Sequence, residues 1–128
     1  MPISFKVKAR SGYFVTTYRG HISEEEHISA FEHFFTGGEW IPDMNELAIA
    51  TEVQSSSTNL ESLRNLIKFK NRHYKEHNVT HVKIAIYAPG DLAFGIARMY
   101  DMVTETVGAP EEVVAFRDIR AAIRWLKK

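Results

Sequence analysis

The sequence predicts an α/β domain, one mixed and mainly parallel sheet flanked by helices, with residues 1–128 forming a single unit. Three observations carry that expectation. Short apolar or alternating runs, which suit strands, take turns with longer stretches whose apolar residues recur every three or four positions, which suit helices. Helix-start residues stand just before those longer stretches. The first two strand-like runs are separated only by a tight turn, as antiparallel neighbours are. The later ones are separated by whole helices, as parallel strands joined by right-handed crossovers are. The order is β-β-α-β-α-β-α-β-α.

Ile3 to Ala9 and Tyr13 to Tyr18 alternate apolar and polar residues around Arg10-Ser11-Gly12, a hairpin pattern. Gly20-His21-Ile22 then leads to Ser23, which caps a helix, with Glu26 three residues on to complete a capping box. Ile28, Phe31 and Phe35 mark the buried stripe of that helix, and Gly37-Gly38 ends it. After Pro42-Asp43, the run Leu47 to Thr51 reads as a buried strand. Gln54 to Ser57 reads as a polar loop, and Thr58 with Glu61 as a second capping box. Leu60, Leu63, Ile67 and Tyr74 form the expected inner face of the helix that follows, which ends near His77. His81 to Ala88 is the next strand, and Asp91 after Pro89-Gly90 is the expected cap of a third helix. Its buried side is read as Leu92, Ile96, Met99, Val103 and Val107. Val113 to Phe116 is the last strand, and Asp118 opens a final helix carrying Ile119, Ala122, Ile123 and Leu126.

At 128 residues and 45% hydrophobic content the chain can build a core without covalent staples. A net charge of +0 gives no basic excess of the kind that marks nucleic-acid binders. With no cysteines, a disulfide scaffold, a thiol nucleophile and a Cys-ligated zinc site are excluded. The opening Met1-Pro2-Ile3-Ser4-Phe5-Lys6 lacks a signal-peptide pattern, and no apolar run approaches the ~20 residues of a membrane span. A cytoplasmic location is therefore expected.

The stretch from Lys83 to Tyr100, with Ala88-Pro89-Gly90-Asp91-Leu92-Ala93-Phe94-Gly95 at its centre, resembles a segment of the SpoIIAA-like (STAS-like) proteins. Phe116-Arg117-Asp118, Ala121-Ala122 and Trp125-Leu126 resemble that family's ending, and Gly20-His21-Ile22-Ser23 its step into the first helix. The resemblance implies a STAS-like fold related to SEC14-type lipid-binding domains, in a family of mostly small bacterial proteins without an established activity. Anti-sigma-factor antagonists of this fold carry a phosphorylatable serine in an Asp-Ser-Ser-Gly turn. Here that place reads Gln54-Ser55-Ser56-Ser57-Thr58-Asn59, without the Asp or the Gly, so the phosphoswitch is not carried over.

In open α/β sheets ligands bind beyond the carboxyl ends of the parallel strands. That rule selects His21, Glu52, Ser57, Thr58, Gly90, Asp91, Phe94 and Arg98 as the candidate ligand-binding set. Helix starts at Thr58 and Asp91 would aim free N–H groups at an anionic or amphipathic ligand there. Phe94 lies nearly opposite the apolar stripe of its helix, beside Arg98 and Asp101, as a pocket wall or contact surface would. Arg64, Lys68, Arg72 and Lys75 form a basic stripe on the second helix, read as a solvated face. Leu66, Phe69 and His73 fall off its inner stripe, which suggests a protein-partner or homodimer surface.

His73-Tyr74-Lys75-Glu76-His77 matches H-x-x-E-H, an inverted zinc-protease pattern. With no third ligand apparent and a place at a helix end, it is discounted, and no metal or cofactor is expected. No nucleophile elbow, P-loop or dinucleotide fingerprint occurs. The expected function is accordingly a non-enzymatic binding or regulatory module for a small amphipathic or anionic ligand, a protein partner, or both. The alternatives are a SEC14-like lipid carrier and, less favoured, a small hydrolytic enzyme joining His21, Glu52 and Asp91.

Overall fold

A computed structural model describes residues 2–128. Its elements run β1 (Ile3–Lys8), β2 (Tyr13–Ile22), α1 (Glu24–Thr36), β3 (Asn45–Ser56), α2 (Leu60–Glu76), β4 (Val82–Tyr87), α3 (Asp91–Val107), β5 (Glu111–Phe116) and α4 (Ile119–Leu126). The five strands form one sheet in the order β1-β2-β3-β4-β5. β1 pairs antiparallel with β2, and the other three pairs are parallel. A single 3-10 turn closes the hairpin and ends on Gly12, whose φ of 78° only glycine adopts without strain. The predicted α/β architecture and element order are thus those of the folded chain.

Each crossover steps one place along the sheet in the same direction, so right-handed connections put α1, α2 and α3 on one face. Their core holds Phe31, Ile67, Leu63 and Leu66, none more than 2% exposed. Phe5 from β1 stacks on Phe34 at 4.3 Å, and Trp40 packs on Phe35 at 4.3 Å. α4 covers the other face, where Ala122 and Leu126 meet Tyr13, Leu47 and Ala85. Its Asp118 caps it as expected, accepting from the Arg120 N–H at 3.0 Å. Among the described residues, no helix is long and apolar enough to cross a membrane.

Several local expectations need correction. β2 runs on past Tyr18 through Gly20-His21-Ile22, and β3 through Gln54-Ser55-Ser56, read above as a loop, because the two polar extensions pair with each other. The register slips beside Gly20, which takes a left-handed φ of 69°. The cap of α2 is Asn59 rather than Thr58, and the capping box is closed by Ser62 rather than Glu61. Thr58 instead bonds the Ser56 hydroxyl. Gly90 occupies the cap position of α3, and Asp91 is its first helical residue without a capping bond.

The buried line of α3 is Ala93, Ala97, Tyr100, Val103 and Thr104, while Leu92 is 50% exposed. The alanines face the sheet because they let the helix approach closely, which turns the bulkier Leu92 outward. On α2, Leu60 is 48% exposed, whereas Leu66 and Phe69 are buried. They are therefore not a partner surface. α2 lies between α1 and α3 and buries two of its sides, so a single inner stripe underestimates its apolar face.

Replacing Asn59 by Ala should cost about 1 kcal/mol in urea unfolding, and Thr58→Ala clearly less. The reverse order would restore Thr58 as the cap.

Candidate functional site

Five buried ionisable or phenolic side chains meet between the sheet and the helices. Glu46, near the start of β3, and Glu111, at the start of β5, flank β4 on the face that α1–α3 cover. Lys70 reaches down from α2 and is 2% exposed. Its Nζ lies 2.8 Å from Glu111 Oε2 and 3.6 Å from Glu46 Oε1. It also donates to the Tyr100 hydroxyl at 2.9 Å. That hydroxyl donates in turn to Glu111 Oε1 at 2.6 Å, and Tyr74 donates to Glu111 Oε2. The Phe31 ring lies 4.6 Å from the ammonium and adds a cation–π contact.

The charges are unequal. Burial would lower the Lys70 pKa, but Glu111 and Glu46 outweigh it and push it up, so the ammonium persists. Burial raises the Glu46 carboxyl, with Lys70 offsetting part of the rise and Glu111 adding to it. The Thr16 hydroxyl is buried beside Glu46 without completing a hydrogen bond of normal geometry. Burial, and after it Glu111, drive the Tyr74 and Tyr100 phenols up, which keeps them donors. Next to this cluster, Tyr18 bonds His27 Nε2 at 3.0 Å. Burial, and then Lys70, push His27 down to about 3, so its imidazole is neutral.

Beside the cluster opens a pocket with about 80 Å³ of free space, in an envelope of about 670 Å³ that includes its mouth. Ala48 and Ile84 from the sheet, Leu66 from α2 and Ala93 and Ala97 from α3 make apolar walls. Ile22, Ser56, Thr58 and Leu63, at strand and helix ends, stand toward the carboxyl edge of the sheet. Glu46, Lys70 and Tyr100 lie deeper along the same elements and close the inner end, with Tyr18 and His27 to one side. The alanines are what leave the space, since larger side chains at those positions would fill it.

Of the ligand-binding set expected from sequence, only Thr58 lines this pocket. His21 bonds Ser55 through Nδ1 at 2.8 Å, and Glu52 pairs with Arg19 at 2.8 Å, both at the exposed edge. Ser57 is exposed and donates its N–H to the Ile22 carbonyl. Asp91 pairs with Arg117 at 3.0 Å, and the Arg117 guanidinium lies 4.2 Å from the Phe94 ring while donating to the Pro89 carbonyl. Arg117 therefore joins the loop after β5 to the loop after β4, which contains Gly90, and to Phe94 on α3. Arg98 is exposed. His21, Glu52 and Asp91, the set considered for hydrolysis, each have their own partners, and none lines the pocket. His73 packs on Phe69 and Phe35, and His77 turns Nδ1 to the His73 carbonyl at 2.9 Å.

Sequence reading passed over Glu46, Lys70 and Glu111. A signal was present: Lys70 falls in line with Leu63, Ile67 and Tyr74 on the inner side of α2, and a charge within an apolar stripe needs a buried partner.

No family model and no curated protein matches the chain. Among solved structures, it is similar to an uncharacterised protein of the DUF3478 family with a SpoIIAA-like fold from Shewanella loihica PV-4. The two are 19% identical, the match covers 97% of this chain and 91% of that one, and the TM-score is 0.55. The likeness establishes a SpoIIAA-like fold.

Lys70→Met should destabilise the protein by about 3–5 kcal/mol, because it strands two buried carboxylates. Adding Glu46→Gln and Glu111→Gln should recover most of that in urea titrations. Acid should weaken the wild type as pH falls from about 6.5 toward 3, because the unfolded chain protonates His27 while the folded chain keeps it neutral. His27→Gln should flatten that part of the pH–stability curve, and an unchanged curve would deny the neutral imidazole its part.

Proposed function

We propose that this chain is a non-catalytic binding module for one small amphipathic molecule, held between the sheet and α1–α3 with its apolar body against the alanine walls. The observation that carries the reading is an apolar pocket whose inner end is made of buried polar groups, the usual form of a small-molecule site. Empty apolar space in a core is destabilising, and so is a buried carboxyl without full partners. The two occur together here, and one ligand would relieve both.

The size of the space speaks against a two-chain lipid. About 80 Å³ is well below the ~300 Å³ lower end for drug-sized ligands. A short chain or a single ring fits better than the cargo of a lipid carrier. The binding reading is preferred to an enzymatic one because the ionisable groups at the inner end are bonded mainly to one another. The hydroxyl–imidazole pair in the lining, Tyr18 with His27, has a phenol that burial holds protonated, which makes it a poor nucleophile.

The mouth lies at the carboxyl edge of the parallel strands, where sheets of this kind place ligands. The proposed site lies inward of the surface loops expected from sequence, in the space beneath them.

A nuclear magnetic resonance titration with 1-hexanol should give saturable shifts centred on Ala48, Ala93 and Ala97. Ala97→Leu, which adds a side chain to the free space, should weaken binding at least about tenfold while the protein stays folded. Shifts scattered over the surface, or insensitive to Ala97→Leu, would refute the pocket as the binding site.

A further inference from the structure

We infer that the inner end of the pocket selects molecules ending in a primary ammonium, takes a hydroxyl less tightly, and rejects carboxylates and phosphates. This rests on the binding site proposed above and names its ligand class. A lysine in a pocket ordinarily suggests an anion site. Here the geometry points the other way, because the lysine's charge is already committed.

One ammonium stands among two carboxylates. Lys70 contacts Glu111 at 2.8 Å and Glu46 at 3.6 Å, and one of its hydrogens goes to Tyr100. Glu111 is fully engaged, with Lys70, Tyr74 and Tyr100 all bonded to its two oxygens. Glu46 is not. It lines the pocket, its cation is 3.6 Å away, and among the described residues no side chain gives it a hydrogen bond of normal geometry. A carboxylate accepts about four hydrogen bonds. Lys70 has at most one hydrogen left, and Glu46 is the carboxylate beside it at 3.6 Å, so the unfilled capacity facing the free space is mostly acceptor capacity and the local charge is negative.

A ligand carboxylate or phosphate would add a third negative centre beside a single ammonium, in a medium that screens charge weakly. A ligand ammonium would instead balance two positive against two negative charges and supply donors to Glu46. Burial is the main cause of the upward shift of the Glu46 carboxyl, Lys70 offsets part of it, and Glu111 adds to it. The groups facing Glu46 from the surrounding elements are Lys70 on α2, Glu111 on β5, Tyr100 on α3, Tyr18 on β2 and His27 on α1. The neutral imidazole and the protonated phenols add no charge near neutral pH.

The test titrates the full chain with hexylammonium, 1-hexanol and hexanoate at pH 7.5, alongside Glu46→Gln and Ala97→Leu. Hexylammonium should bind at least about tenfold tighter than hexanoate, the effect of one charge-assisted hydrogen bond. Glu46→Gln should shrink that preference to within about threefold while leaving hexanol within about threefold of wild type. Hexanoate binding as tightly as hexylammonium, or a preference untouched by Glu46→Gln, overturns the selectivity while hexanol binding upholds the pocket. Failure of all three probes overturns the pocket and the selectivity together. If Glu46→Gln does not fold, Glu46→Asp takes its place, which keeps the carboxylate but draws it back from the free space. The preference for hexylammonium over hexanol should then fall at least about threefold, and an unchanged preference overturns the proposal.

Discussion

An ammonium enclosed beneath three helices is the constraint on which the rest of this structure depends. Removing a charge from water costs several kcal/mol, and only close, well-directed partners repay it. Lys70 obtains those partners from three separate elements: Glu46 on β3, Glu111 on β5 and Tyr100 on α3. β4 lies between the two carboxylates, so the register of three strands has to agree with the axial position of α2. A slip of one residue along a helix moves a side chain by about 1.5 Å. That is enough to break bonds of 2.6 to 2.9 Å. The network therefore sets the relative position of α2, α3 and the sheet more narrowly than apolar contact alone would.

The pocket follows from the same arrangement. Ala48 on the sheet and Ala93 and Ala97 on α3 allow the helix to come close yet leave space between them. The charged cluster stops that space from extending inward, and the strand ends leave it open outward. A well-packed core of the same size would be filled, since interiors reach the density of organic crystals. The space stays beside Glu46, the carboxylate of the cluster with unused acceptor capacity. Glu111 and the two phenols thus bond within the cluster, while Glu46 also borders the free space.

Legibility in the sequence tracked how local the physics is. The cap at Asp118 and the amphipathic stripe around Phe31 and Phe35 act within one or two helical turns and were read correctly. The α2 cap was misplaced by one residue because Thr58-Asn59 offers two good capping side chains in succession. Thr58 is taken up by the Ser56 hydroxyl, which leaves Asn59 as the cap. Leu66 and Phe69 were misassigned for a different reason: periodicity shows which residues are apolar, but not how many neighbours a helix has. The polar end of β3 reads as a loop, and that of β2 does not read as strand, because neither carries an apolar alternation. They became strands only because each found the other.

By itself, the sequence determined the fold class, the order of the nine main elements, the hairpin and the parallel crossovers. These follow from periodicities and turn chemistry that act over a few residues. Tertiary structure alone decided the site. Glu46, Lys70 and Glu111 are spread over 66 positions of chain and meet only when β3, α2 and β5 assemble. The pocket exists because of what four alanines, Ala48, Ala50, Ala93 and Ala97, leave empty. An unfilled volume is a property of the packed whole, and no single segment carries it.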